Sequence, residues 1–471
     1  MSTSRKPYRC SIRHFLMVSA LGAVAVETSC GAAAAAAQAE RQHAKLTFEQ
    51  YIRGCVVPRA VIDGYLSGPA WARFDPELGY VQRNYVRHDA VDDSSAIYTF
   101  RPNGARTSFL YANRKPRINA YGDSFTESEQ TSDGETWEEY LAGHLGEPIG
   151  NYGIGSYGVY QAYRRMIREE ITDHGAEYVI FYIWGDDPIR SLMRCRYCSI
   201  YRALKQWIAE GGRDFLGARL FYGNFWAHVE MDPKTGRFIE RENPLATPQS
   251  LYRMTEPQWM VDHLRNDLAL QLLAYARGDT LELDRKQISR LAAALDFPFD
   301  WSLDTQTASI PPASPGRRSR TPMQVQVRAL LNRYAQRANI YVLEKARAFA
   351  SRNGKKLLIV VFDPYEAMQQ MHNGMVRSDQ ETIDYLAKEK LDYFDMNEVH
   401  MQDFKKYNLS WQDYEKQYLI VDGHYNPRGN HFFAYSIKDK VIEWLNPKPI
   451  TYTNPDAATL DFRPYLEGSG D

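Results

Sequence analysis

Cysteine is scarce in this chain, with five among 471 residues. The one close pair, Cys195-Arg-Tyr-Cys198, has no second pair to complete four ligands, which excludes a structural zinc site, and no metal or organic cofactor is implied. An excess of one charge is missing too. Lys and Arg number 57 against 58 Asp and Glu, and no basic stripe with interleaved aromatics accompanies them, so nucleic acid is excluded as a partner. Long apolar runs are also lacking. Phe15 to Val26 is too short to span a bilayer, and no transmembrane segment is expected in the mature chain.

That short apolar run has another use. Arg5, Lys6, Arg9 and Arg13 precede it and Ala37-Gln38-Ala39 follows, the pattern of an export signal over residues 1–39 with the mature chain starting near Glu40. The expected location is periplasmic or secreted. Val26-Glu-Thr-Ser-Cys30 is a weaker lipoprotein alternative, because Glu27 stands where an acylation box has an aliphatic residue. Cleavage would leave Cys55, Cys195 and Cys198, and in an exported protein Cys195 and Cys198 are expected to close a small disulfide loop, two unpaired thiols being the alternative.

What the chain does have is a serine and a histidine in telling surroundings. Tyr121-Gly-Asp-Ser-Phe-Thr126 lies near the front and Asp422-Gly-His424 near the end. Serine is a poor nucleophile until an imidazole takes its proton, and a carboxylate must hold that imidazole in one tautomer. Ser124, His424 and Asp422 supply those three groups. A short strand is expected before Ser124, from Pro116, and a helix after it, from Glu135, so the serine sits just beyond a strand's carboxyl end, where α/β sheets bind ligands. The glycine-rich turn Asn151 to Gly158 opens a helix near Val159. A third strand, Glu177 to Trp184, ends in Gly185-Asp186-Asp187-Pro188.

In order, polarity and strand-end placement these blocks resemble those of the SGNH (GDSL-type) hydrolase family over roughly residues 116–198 and 320–446. The resemblance implies a flavodoxin-like three-layer α/β/α fold with a parallel central sheet, and acyl-ester hydrolysis or transfer through a serine acyl-enzyme. It also implies an oxyanion hole near Gly155 and Ser156, where serine stands at the family's glycine but keeps a backbone N–H. Asp186 falls on the family's asparagine. An ionised carboxylate there repels the oxyanion, and losing one donor costs about 3–4 kcal/mol; a protonated Asp186 would restore it. The competing reading is an Asp-Asp-Pro turn capping the next helix.

Around these blocks, residues 40–115 read as an N-terminal β prelude, residues 116–446 as the hydrolase domain, and residues 447–471 as a loosely ordered tail. Segment 199–320 interrupts the domain. It carries Phe221, Tyr222, Phe225, Trp226 and Trp259, a hairpin turning at 232–236, a helical stretch from Trp259 to Leu295 and a Pro- and Ser-rich linker at 309–320. Such insertions supply lids and pockets, although aromatics at these spacings serve a core more often. The α/β rhythm then resumes with a helix from Gln324 to Arg352, a strand at Lys356–Phe362, a turn at Asp363-Pro364 and a closing helix ending at Leu445. The sequence thus predicts an exported serine esterase acting on acylated carbohydrate or a small acyl ester. An O-acyltransferase with the same three residues, or a carbohydrate-binding scaffold with decayed machinery, are the rivals.

Overall fold

The computed structural model describes residues 45–67, 72–200, 223–232, 234–306, 310, 319–420 and 423–453. The export segment, Phe221, Tyr222, most of the 309–320 linker, Asp422 and residues 454–471 lie outside them.

The prelude holds two antiparallel pairs, β1 (Ala72–Asp75) with β2 (Gly79–Gln82) and β3 (Tyr85–Arg87) with β4 (Ala96–Tyr98). The central sheet follows with β5 (Ile118–Tyr121), β6 (Ile149–Asn151) and β7 (Tyr178–Trp184). A hairpin of β8 (His228–Asp232) and β9 (Arg237–Arg241) precedes β10 (Lys356–Phe362) and β11 (Tyr393–Asp395). Five of these strands form one parallel sheet in the order β11-β10-β7-β5-β6.

Both faces of this sheet are covered, which is why β7 and β10 read as unbroken apolar runs. Val179, Phe181, Ile183, Ile359 and Val361 point into one core, shared with the helices Val159–Glu169, Asp187–Leu192 and Pro322–Arg352. Ile180, Tyr182, Leu358, Val360 and Phe362 point into the other, with Trp137–Leu145, Trp411–Tyr418 and Pro427–Trp444. The long helix starts where its sequence dictates: Thr321 and Gln324 form a capping box and Pro322 takes the first turn.

Segment 223–306 belongs to the first core. Phe225 and Trp226 are fully buried and Trp259 packs edge-on against Phe225 at 5.2 Å, so these aromatics support the core and are not presented for stacking on a ligand. The expected Cys195–Cys198 loop is not formed. Cys55, Cys195 and Cys198 are free buried thiols. Cys195 Sγ donates to the Gly223 carbonyl at 2.9 Å and Cys55 Sγ to the Tyr51 carbonyl at 3.3 Å. The start of the expected tail is docked, not loose: Asn446 donates to the Tyr178 hydroxyl at 2.9 Å and Thr451 to the His144 carbonyl at 2.7 Å. Among the described residues, no helix is long and apolar enough to cross a membrane.

One buried guanidinium ties the prelude to the sheet domain. Arg106 donates its backbone N–H to Asn151 on edge strand β6 at 2.8 Å. Its side chain meets Asp133 Oδ1 at 2.8 Å and donates to the carbonyls of Glu127, Ser128 and Thr131, with the Tyr98 ring 4.2 Å away. Removing one partner from a buried ion pair strands the other, at a cost of about 3–5 kcal/mol. Arg106→Met is therefore expected to lower the unfolding free energy by about that amount in urea titrations; a loss below about 1 kcal/mol would show that the pair holds nothing together.

Candidate active site

Ser124 sits where β5 ends. Gly122 leads into it without room for a side chain, since a Cβ there would lie 2.1 Å from Thr126 Oγ1. Asp123 caps the one-turn helix Ser124–Glu127, accepting the Phe125 N–H at 2.9 Å, and the Ser124 hydroxyl donates to its other oxygen at 3.3 Å. Burial pushes the Asp123 carboxyl up to about 6 against the pull of Arg190. The helix stops at once. Ser128 and Gln130 take left-handed backbone angles, φ 58° and 72°, a conformation that costs a non-glycine residue about 1–2 kcal/mol.

That bend aims Glu129 and Gln130 at His424. The Gln130 amide nitrogen donates to the Asp89 carbonyl at 2.8 Å, which turns Oε1 toward the histidine. Oε1 then accepts both the His424 backbone N–H at 3.0 Å and Nδ1 at 2.8 Å. An amide oxygen cannot donate, so Nδ1 carries the proton and Nε2 keeps its lone pair, the tautomer a general base needs. Nε2 lies 3.4 Å from Glu129 Oε2, and the other Glu129 oxygen pairs with Arg87 of β3. The imidazole packs on Phe125, the residue after the serine, with ring centroids 5.1 Å apart. Burial, then Arg87 and Arg190, holds its pKa well below the usual histidine value.

The predicted site residues divide as follows. Ser124 and His424 share Phe125 as a neighbour, but no hydrogen bond joins Ser124 Oγ to His424 among the described residues. Asp422 lies outside the described residues, and Gln130 holds Nδ1 among those described. The Gly155 N–H is already committed to Glu127 Oε2 at 2.6 Å, so it does not serve as an oxyanion donor. Ser156 keeps the left-handed backbone of a glycine, φ 69°, and neither its N–H nor that of Ser124 has a partner among the described residues.

Asp186 departs from expectation. Burial works to raise its pKa, but the guanidinium charges of Arg190, Arg196, Arg277 and Arg328 outweigh it and hold the group below the usual carboxylate range. It is an ionised acceptor paired with Arg190, not a protonated donor. Neighbouring Asp187 goes the other way, pushed well above that range by burial and by Asp123, while accepting Arg190 at 2.7 Å. Asp363 is a turn residue that accepts the N–H groups of Tyr365 and Glu366 at 3.0 and 2.9 Å.

Sequence reasoning missed Gln130, Glu129, Arg87 and Arg190. The only signal was the polar run Thr126-Glu-Ser-Glu-Gln-Thr131 directly after the serine, which reads as a solvated loop yet is buried throughout. The chain matches no protein-family model and no curated protein.

The electrostatics of His424 can be tested directly. Arg87 disfavours the imidazolium, so Arg87→Gln is expected to raise the His424 pKa, while burial and Arg190 continue to hold it down. An NMR titration of the histidine rings measures this; a midpoint that stays put or falls would contradict the assignment of Arg87.

Proposed function

We propose that the protein is an exported serine esterase of the SGNH class, with a flavodoxin-like α/β/α domain, acting on acyl esters carried by carbohydrate or small alcohols. The observation that carries this reading is the tautomer of His424, fixed by Gln130 beside the serine at a strand end. Ser124 Oγ attacks the ester carbonyl while His424 Nε2 takes its proton. The imidazolium so formed lies against the Glu129 carboxylate, which stabilises it more than it stabilises the neutral ring. The N–H groups of Ser124 and Ser156 receive the charge that builds on the carbonyl oxygen. Collapse of the tetrahedral intermediate breaks the bond to the alkoxy oxygen, which takes the proton back from Nε2. Water then repeats the sequence on the acyl-serine, and the enzyme is restored. Asp422 is proposed to orient the imidazole.

Two measurements decide the matter. A fluorophosphonate is expected to add once to the wild-type chain, as read by intact mass, and not to the Ser124→Ala protein. Turnover of acetylated sugars should fall by at least about 10³-fold in that variant. No adduct on folded protein would favour the decayed-scaffold alternative.

Asp186→Asn removes a negative charge and supplies an amide donor at the position where the family has one. It is expected to raise kcat on neutral esters by roughly 10- to 100-fold, at or below the roughly 10²- to 10³-fold that one oxyanion donor contributes. A fall in kcat with unchanged folding would mean that Asp186 serves the reaction through its pairing with Arg190.

A further inference from the structure

We infer that the ester taken by this site carries an anionic group, a carboxylate or a phosphate, held by Arg196 and Arg277; this rests on the esterase reading and names its substrate class. Arg196 follows the helix Asp187–Leu192, and its Nη1 donates to the Ser156 carbonyl at 3.1 Å, which places the guanidinium against the glycine-rich turn that offers the oxyanion N–H. Arg190 holds the next carbonyl, that of Tyr157, at 3.2 Å. Ser199 bonds back to the Arg196 carbonyl through its N–H at 2.9 Å and its hydroxyl at 2.7 Å. Arg277, at the end of the helix Leu268–Ala276, donates to the Ser199 carbonyl at 3.2 Å. Arg196 thus reaches the glycine-rich turn itself, and Arg277 reaches the segment just after Arg196, so two guanidiniums from separate elements lie on the side of the candidate oxyanion site.

Both lie in the field of Asp186 without touching a carboxylate, as buried Arg165 also touches none. Arg87, Arg106, Arg164, Arg190, Arg194 and Arg377 each sit on a carboxylate. Among the described residues, Arg196 and Arg277 have none within ion-pairing distance, and each makes a single hydrogen bond, to a neutral carbonyl. A guanidinium has five N–H donors, so most of each fork is uncommitted. Arg196 is half-buried and Arg277 exposed, which leaves the pair within reach of a ligand. Cations are crowded there. Burial and then Arg190 depress Arg196 to about 10 in spite of Asp186. An anion entering this field relieves it, and the planar fork of arginine suits the paired oxygens of a carboxylate or phosphate.

The test uses the full chain and three probes: O-acetylated glucuronate, O-acetylated glucose 6-phosphate and the neutral O-acetylated glucuronamide. At least one anionic ester is expected to exceed the amide in kcat/KM by about 10- to 100-fold, mainly through KM, and which one does so tells carboxylate from phosphate. That ratio should shrink as ionic strength rises. It should collapse toward unity in Arg196→Gln/Arg277→Gln and recover in part in Arg196→Lys/Arg277→Lys. Circular dichroism checks folding, and exposed Arg277→Gln alone should lower the ratio if the double variant does not fold. Equal kcat/KM on all three esters, or a preference that survives loss of both arginines, would overturn the inference. If none of the esters turns over, the esterase reading fails by itself, and calorimetric titration with glucuronate and glucuronamide then decides. Tighter binding of glucuronate that is lost in the Gln pair upholds the anion site, and equal binding of the two overturns it.

Discussion

A buried run of polar side chains behind Ser124 is the constraint on which the rest of this structure depends. Thr126 to Thr131 contains no apolar residue, yet every member is buried, in a chain where a polar group removed from water costs free energy unless it finds a partner. The loop cannot meet that demand alone. Its carbonyls are taken by Arg106, Glu127 is received by Gln82 and by the Gly155 N–H, Glu129 by Arg87, and the Gln130 amide by the Asp89 carbonyl. Four of those five partner residues come from the prelude. A segment that precedes the sheet domain in sequence therefore completes the site physically, and the two units fold as one polar network.

The same network explains the strained backbone. Left-handed angles at Ser128 and Gln130 are unfavourable in isolation, but they turn two successive side chains toward one imidazole: an amide that fixes its tautomer and a carboxylate near its free nitrogen. Gly153 closes the arrangement from the other side, since a Cβ there would lie 2.2 Å from the Glu127 nitrogen. Strain of this kind persists where surrounding contacts over-determine it.

The sheet was legible because strands covered on both faces leave uninterrupted apolar runs, and Tyr178–Trp184 and Lys356–Phe362 fall where the sequence places them. The turn at 232–236 was legible as well, while the sequence starts the long helix at Gln324 and it begins two residues earlier, at Pro322 behind the Thr321 cap. The serine and the histidine were also legible, as residue types at a strand end and before a closing helix. Their supports were not. Glu129 and Gln130 look like solvated loop residues until the prelude covers them, and burial of that sort is a tertiary fact with no local period. Cys195 and Cys198 misled for a related reason: spacing reports how near two residues can come, not whether their sulfurs meet.

Charge placement across the site has one further consistency. Arg190 touches Asp186 and Asp187 and lies 4.0 Å from Asp123, so a single guanidinium cannot neutralise all three carboxyls. Burial raises the pKa of Asp123, to about 6, and of Asp187, while the arginines hold Asp186, the most exposed of the three, below the usual carboxylate range. Asp186 is thereby the carboxylate best able to repel an oxyanion and also the one surrounded by Arg196, Arg277 and Arg328. An anionic substrate brought to those arginines would compete with Asp186 for the same field, leaving less positive charge to stabilise the aspartate. Binding would then favour protonation of Asp186 or its withdrawal from the site. If the substrate is anionic as inferred, its charge and the aspartate at the third strand end are two parts of one electrostatic arrangement.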